Sequence, residues 1–308
     1  MAKNLSIDFA FEGFRIVGRK PLLIPLWGLV LLLGNIVSYA ISFAMMLPVM
    51  SRMSTNPAVT DPSQAMGLAG QLIGPELLLF VFICFFYAFV NCAIYRLVLG
   101  RPDTGFGYLR IGGDEIRNAA LTLVYMILLL VLYIVLAIGG VVVGGILSLV
   151  MGAISKSLIP LAIVLTVILG VGFFFWFLVR SSLFAVQSFD QKKFNLFGTW
   201  SLTGGRAWLL FAGFFIIFVI AIVIELVCIM VFFGSMIGAG AAAMHGTANP
   251  NPAQLATTMM TMGPMMIIFI LVFSLIVSPF MVALISGATA AAYKQLAGVT
   301  TMGAEKVF

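Results

Sequence analysis

Charge is scarce in this chain. Only 8% of its 308 residues are Asp, Glu, Lys or Arg, against about a quarter in an ordinary soluble domain. With 63% apolar residues, it lacks the polar side chains to clothe a water-facing surface, which excludes a soluble globular fold. Histidine is reduced to His245, so a Ser–His–Asp site would have to recruit Asp61 or Glu76 from distant segments. The three cysteines, Cys84, Cys92 and Cys228, all fall inside apolar runs. They read as small buried hydrophobes, not as disulfide partners or metal ligands. Walker A, HExxH and G-x-S-x-G sequences are missing. Gly105-Phe106-Gly107, followed by Gly112 and Gly113, fails as a dinucleotide fingerprint because no strand precedes it and the third glycine is misplaced. It reads instead as an elbow turn with Asp114 as the helix N-cap. No catalytic residue, cofactor or metal site is expected. The net charge of +6 comes without a basic cluster dense enough for nucleic acid.

What the chain does have is long apolar runs. Crossing ~30 Å of hydrocarbon takes about 20 helical residues, and six runs qualify: 22–48, 76–99, 119–150, 158–186, 207–237 and 264–293. The third and fifth exceed the minimum and are expected to tilt or project. The first run begins at Pro21, behind Asp8 and Glu12, and is too long for a signal-peptide core, so a cleaved leader is not expected.

Orientation follows from lysine and arginine. Lys3, Arg15, Arg19 and Lys20 precede the first span. Arg96, Arg101, Arg110 and Arg117 lie between the second and third. Arg180, Lys192, Lys193 and Arg206 lie between the fourth and fifth, and Lys294 and Lys306 close the chain. Fourteen of 16 basic residues therefore share one side, leaving Arg52 and Lys156 on the other. Both termini are expected in the cytoplasm, with 51–75, 151–157 and 239–263 outside.

Each odd-numbered span follows an amphipathic stretch. In 6–20, Ile7, Ala10, Phe11, Phe14 and Val17 share one helical face, and Asp8, Glu12, Arg15 and Arg19 another. That pattern suits a helix lying in the membrane interface. Phe106, Tyr108, Leu109 and Ile111 precede the third span; Phe194, Leu196, Phe197 and Trp200 precede the fifth. The expected fold is an all-α integral membrane protein: one domain, 1–308, whose six transmembrane helices form three parallel repeats of interfacial elbow helix plus transmembrane hairpin. The units are about 6–99, 106–186 and 194–293.

The segments FEGFRIVGRKPLLIPLWGLVLLL (11–33), YRLVLGRPDTGFGYLRIGGDEIR (95–117) and FGTWSLTGGRAW (197–208) resemble a family of uncharacterised polytopic membrane proteins of alphaproteobacteria. More distantly, they are similar to the membrane domains attached to some glycerophosphodiester phosphodiesterases. The resemblance implies a six-helix fold in a bacterial inner membrane. It implies no enzymatic activity, because the soluble phosphodiesterase domain is not in this sequence.

Three features stand out within the spans. Gly140, Gly144, Ser148 and Gly152 recur every four residues and form a helix-packing face that allows close backbone approach; Gly234, Gly238 and Ala242 repeat the spacing. Glu225 lies between IAIVI and LVCIM, where an acid is costly and a functional or structural polar contact is expected. It is expected to face the bundle interior and meet Asn35, Ser38, Tyr39, Ser274 or Ser278. Arg180, near the basic end of the fourth span, is expected to reach headgroups. Fourteen of 18 methionines lie in outer loops or outer helix halves; thioethers suit Cu(I), but they read first as adaptable apolar contacts.

These features point to a non-enzymatic inner-membrane protein, structural or accessory, that self-associates or docks on a larger membrane complex. The expected partners are membrane lipids and either a second copy or partner membrane subunits. The alternative is a transporter or channel for a small or lipidic solute with Glu225 in its pathway, followed by an enzyme acting on lipid.

Overall fold

The structure, a computed structural model, describes residues 5–55, 62–102, 105–243 and 267–299. Among these, helices and helical turns are the regular elements and no strand occurs. A 3-10 turn, Ile7–Phe11, leads into α1 (Glu12–Arg19). The long helices are α2 (Leu23–Thr55), α3 (Pro62–Val98), α4 (Gly113–Ile154), α5 (Ile159–Ser181) and α8 (Ala207–Ala243), with short α6 (Phe184–Gln191) and α7 (Thr199–Thr203) between the last two. The sixth span, α9, covers Ile267–Ala297 and widens into a π-helical segment over Phe273–Val277. Valine- and isoleucine-rich stretches such as Val141–Val143 stay helical because hydrocarbon offers the backbone no outside partner. The breaks fall where the sequence supplies them: Gly100 (φ 70°) ends α3, and Gly298 (φ 70°) ends α9 with its N–H on Lys294 O.

Six helices are long and apolar enough to cross a membrane, so the chain is a multi-pass membrane protein. All but α5 outrun the sequence-based boundaries. α2 has 33 residues and α4 has 42, roughly 50 and 63 Å at about 1.5 Å per residue. Both exceed the hydrocarbon thickness and must tilt or project. The expected outer loop 51–75 is therefore largely helical, since α2 continues to Thr55 and α3 starts at Pro62. At the other end of the second hairpin, α5 stops at Ser181 instead of continuing to 186, and α6 follows as a separate helix.

The core gathers around α9 at the end of the bundle rich in lysine and arginine, hereafter the basic end. About a third or more of the most apolar stretch is buried in α2 (33%), α3 (44%) and α9 (33%), against 0% in α4. Glycines set the crossings. A Cβ at Gly13 of α1 would lie 2.5 Å from Leu284 Cα, and one at Gly28 of α2 would lie 2.6 Å from Leu275 Cα. At α8, Gly213 leaves room for the Phe9 ring, which also meets Phe214 edge-on at 5.7 Å.

The three elbows take three different forms. The first is the expected helix, with Phe11 and Phe14 exposed, but Phe9, Ala10, Gly13 and Ile16 are buried against α8 and α9. It is docked on protein along one side, with Phe11 and Phe14 left on the exposed side. The second is a single 3-10 turn, Phe106–Tyr108, because Pro102, Gly105, Gly107 (φ 66°) and Gly112 interrupt any longer helix. Gly112, not Asp114, occupies the N-cap of α4; Asp114 falls in the first turn, where its charge suits the helix N-terminus. The third elbow, expected from Phe194 to Trp200, is irregular as far as Gly198 and then forms only the five-residue α7.

Candidate functional site

Two regions concentrate what the chain could use: an exposed groove in the second hairpin and a polar layer at the basic end. The groove lies between α4 and α5. It has a volume of about 920 Å³ and is lined by Ala137, Gly140, Gly144, Gly145 and Ser148 from α4 and by Thr166 and Gly170 from α5, with Tyr133, Phe174 and Phe175 among its larger walls. The small-residue face predicted from the sequence therefore exists, but it does not hold two backbones in contact. Nothing lies within 4 Å of a Cβ built at Gly140, whereas one at Gly144 meets the Thr166 side chain at 3.4 Å and one at Gly152 meets Ile159 at 3.3 Å. The two helices touch near Gly144 and Gly152 and leave an apolar slot beside Gly140 and Gly145. Gly234 of α8 likewise has open space around it; the side-chain surroundings of Gly238 and Ala242 lie outside the described residues.

The polar layer is built from side chains brought together across the sequence. Arg96, at the end of α3, is buried; its Nη2 donates to the buried Glu115 carboxylate of α4, and Asp114 lies 4.0 Å away. Its Nη1 donates to Tyr108 O at 3.0 Å, and its guanidinium stands 5.4 Å from the Phe189 ring of α6. Glu115 Oε2 has no hydrogen-bond partner among the described residues. Trp27 Nε1 donates to Gly107 O at 3.0 Å and Lys20 Nζ to Tyr108 Oη at 2.8 Å. The second elbow is thus pinned by α2, α3 and the end of α1, which sustains Tyr108 at φ 63°. Asp190 of α6 accepts from Arg101 Nη2 at 2.6 Å and from Tyr293 Oη of α9 at 3.1 Å. The buried Arg96–Glu115 pair gives little net stability but is costly to break on one side. Its arrangement fits a clamp that fixes helix ends.

Arg180 belongs to this layer and corrects an expectation. It does not reach out to headgroups. Its guanidinium sits 5.7 Å from both the Trp176 and Trp200 rings, and Nη1 donates to Trp200 O at 3.1 Å. Two indole faces and a backbone carbonyl compete with the interface for a weakly hydrated guanidinium, and here they win.

Glu225 also departs from its expected place. It lies on an exposed face of α8 between exposed Val223 and Leu226. The groups proposed to receive it are engaged elsewhere: Asn35 Nδ2 donates to Ser274 Oγ at 3.2 Å, Ser38 Oγ to Gly34 O at 2.7 Å, and Ser278 pairs with Tyr87 at 3.4 Å; Tyr39 is exposed. Ile224 packs against the core and Phe232 stacks on Phe269 of α9 at 3.9 Å, yet Glu225 between them stays exposed. The polar contacts of the interior run along α9 instead, from Ser274 to Ser286, which donates to Asn91 Oδ1 at 2.7 Å. His245 and the loop methionines from Met244 to Met266 lie outside the described residues.

Arg96, Glu115, Asp190 and Trp27 were not singled out from the sequence. The available signal is the pair of adjacent acids at 114–115 among four arginines, Arg96, Arg101, Arg110 and Arg117. In comparison with known proteins, no family model, no curated protein and no solved structure matches the chain.

Proposed function

We propose that the protein is a non-enzymatic component of a bacterial inner membrane that associates with other transmembrane helices through the α4–α5 hairpin. The observation that carries this reading is the separation between core and hairpin. α2, α3 and α9 bury a third or more of their apolar stretches, against 0% in α4 and 6% in both α5 and α8, and of these little-buried helices α4 and α5 carry the groove of glycines. Between helices in lipid there is no hydrophobic drive, so association depends on close van der Waals approach over small residues. A slot lined by Ala137, Gly140, Gly144 and Gly145 offers that approach to a helix of a second copy or of a partner subunit.

In this reading both termini are cytoplasmic, as the basic residues direct, and the basic-end clamp holds the bundle while the hairpin engages its partner. The three elbow-hairpin units, 6–99, 106–186 and 194–293, share one orientation. The transporter alternative relied on Glu225 inside a pathway, and its exposed position on α8 removes that argument.

A photo-crosslinking amino acid at Gly140, activated in native membranes, tests the proposal. The expected product is an adduct with a second copy or another membrane protein, diminished when Gly144→Trp fills the slot. Adducts with lipid alone, unaffected by Gly144→Trp, would overturn it.

A further inference from the structure

A second site lies at the basic end, away from the hairpin. A pocket of about 250 Å³ is enclosed by α1, the end of α3 and the end of α9, and is lined by Glu12, Ile16, Arg19, Lys20, Leu97, Val98 and Lys294. The neighbouring cations Arg19 and Lys20 thus meet Lys294, from the far end of the chain, in one small space. From these contacts we propose that the pocket binds a phosphate-type oxyanion, supplied either by the headgroup of an anionic phospholipid or by free phosphate.

Charge balance supports it. Glu12 is the one acid among the lining residues, and it already accepts from Arg15 Nη1 at 3.3 Å. The C-terminal ends of α1, α3 and α9 also meet here, and each contributes roughly half a negative charge. Against three cations, that leaves a net charge of about +1.5 with Glu12 offset by Arg15 and about +0.5 with Glu12 counted in full, so capping of helix ends does not consume the positive charge. Two of the cations are held in place. Lys20 Nζ is fixed by Tyr108 Oη at 2.8 Å and lies 4.8 Å from the centre of the Tyr108 ring, and Lys294 Nζ is fixed by Val98 O at 3.0 Å. An ammonium carries three donors, so each lysine keeps donors for a ligand. Arg19 is exposed and supplies the planar fork that suits phosphate oxygens. The apolar wall of Ile16, Leu97 and Val98 limits competing water.

The test uses the full-length protein in detergent, with lipid retention read by native mass spectrometry. Phosphatidylglycerol, phosphatidylcholine and inorganic phosphate are offered separately and in competition. The triple variant Arg19→Gln/Lys20→Gln/Lys294→Gln is compared with the charge-matched control Arg110→Gln/Lys192→Gln/Lys193→Gln from the same end of the bundle. At about 1 kcal/mol per basic residue near a membrane surface, the pocket variant should lose roughly a hundredfold in phosphatidylglycerol affinity while the control keeps it. Arg19→Gln alone, which removes no contact described within the fold, should lose about fivefold on the same basis and guards against misfolding of the triple variant. Displacement of phosphatidylglycerol by inorganic phosphate would assign the site to a soluble phosphate; retention of the lipid against phosphate would assign it to the headgroup. Equal losses in pocket and control variants, or equal retention of phosphatidylcholine, would overturn the proposal.

Discussion

Replacing Gly28 with alanine puts the helix crossing at the centre of the fold under a defined strain. The added Cβ would lie 2.6 Å from Leu275 Cα and 2.7 Å from Leu275 C, both backbone atoms of α9. Carbon atoms prefer about 3.5–4.0 Å, so α2 and α9 must separate by close to 1 Å, and no side-chain rotation can relieve the clash. Overpacking of this kind costs typically ~1–3 kcal/mol. Alanine also favours a helix over glycine by about 0.8–1.0 kcal/mol, which partly masks the strain in a single measurement. Gly140→Ala supplies the reference, since nothing lies within 4 Å of its new Cβ and only the propensity gain remains. The difference between the two variants isolates the crossing, at ~1–3 kcal/mol, or about five- to 150-fold in the folding equilibrium. Unfolding in mixed micelles with increasing dodecyl sulfate gives the comparison directly. Equal transition midpoints for Gly28→Ala and Gly140→Ala would refute the close α2–α9 contact.

The Arg96–Glu115 pair offers a second test. Glu115→Leu alone should lower stability by about 3–5 kcal/mol by stranding a buried guanidinium, and adding Arg96→Met should restore much of it; a double variant no more stable than the single one would contradict the clamp. Arg180→Lys should cost about 1–2 kcal/mol by removing the guanidinium from between Trp176 and Trp200, measured as a lower thermal midpoint in detergent; an unchanged midpoint would contradict it. Reporter fusions after Pro57 and Asn251 should both register outside the cytoplasm, as the basic residues direct; a cytoplasmic signal from either would overturn the orientation.

The spans were legible because long uninterrupted apolar runs have few structural meanings. Their ends were not, because α2, α3 and α4 continue as helix beyond the hydrocarbon thickness, where composition no longer marks a boundary. Buried faces were hidden for a related reason. Exposed Leu29, Leu33 and Ile36 of α2 are as apolar as buried Ile24 and Leu31, since lipid and core make the same demand of a side chain. Glycine carries the missing signal: Gly13, Gly28 and Gly213 mark the crossings in the core, whereas the four-residue spacing of Gly140 to Gly152 marks a face in contact at Gly144 and Gly152 and open at Gly140. The cost of an acid in hydrocarbon predicts an inward Glu225, yet α8 packs Ile224 on the core and leaves Glu225 exposed, a rotation that composition does not set. Arg96 and Glu115, 19 residues apart, became partners only through the glycine-broken second elbow, a turn whose path no periodicity predicts.

Native mass spectrometry of the protein extracted directly from its membrane tests the central proposal most plainly. The proposal predicts an assembly heavier than the 33.2 kDa chain, a second copy or a partner subunit, that dissociates when Gly144→Trp occupies the slot between α4 and α5. A 33.2 kDa monomer carrying only lipid, identical for wild type and variant, would contradict it.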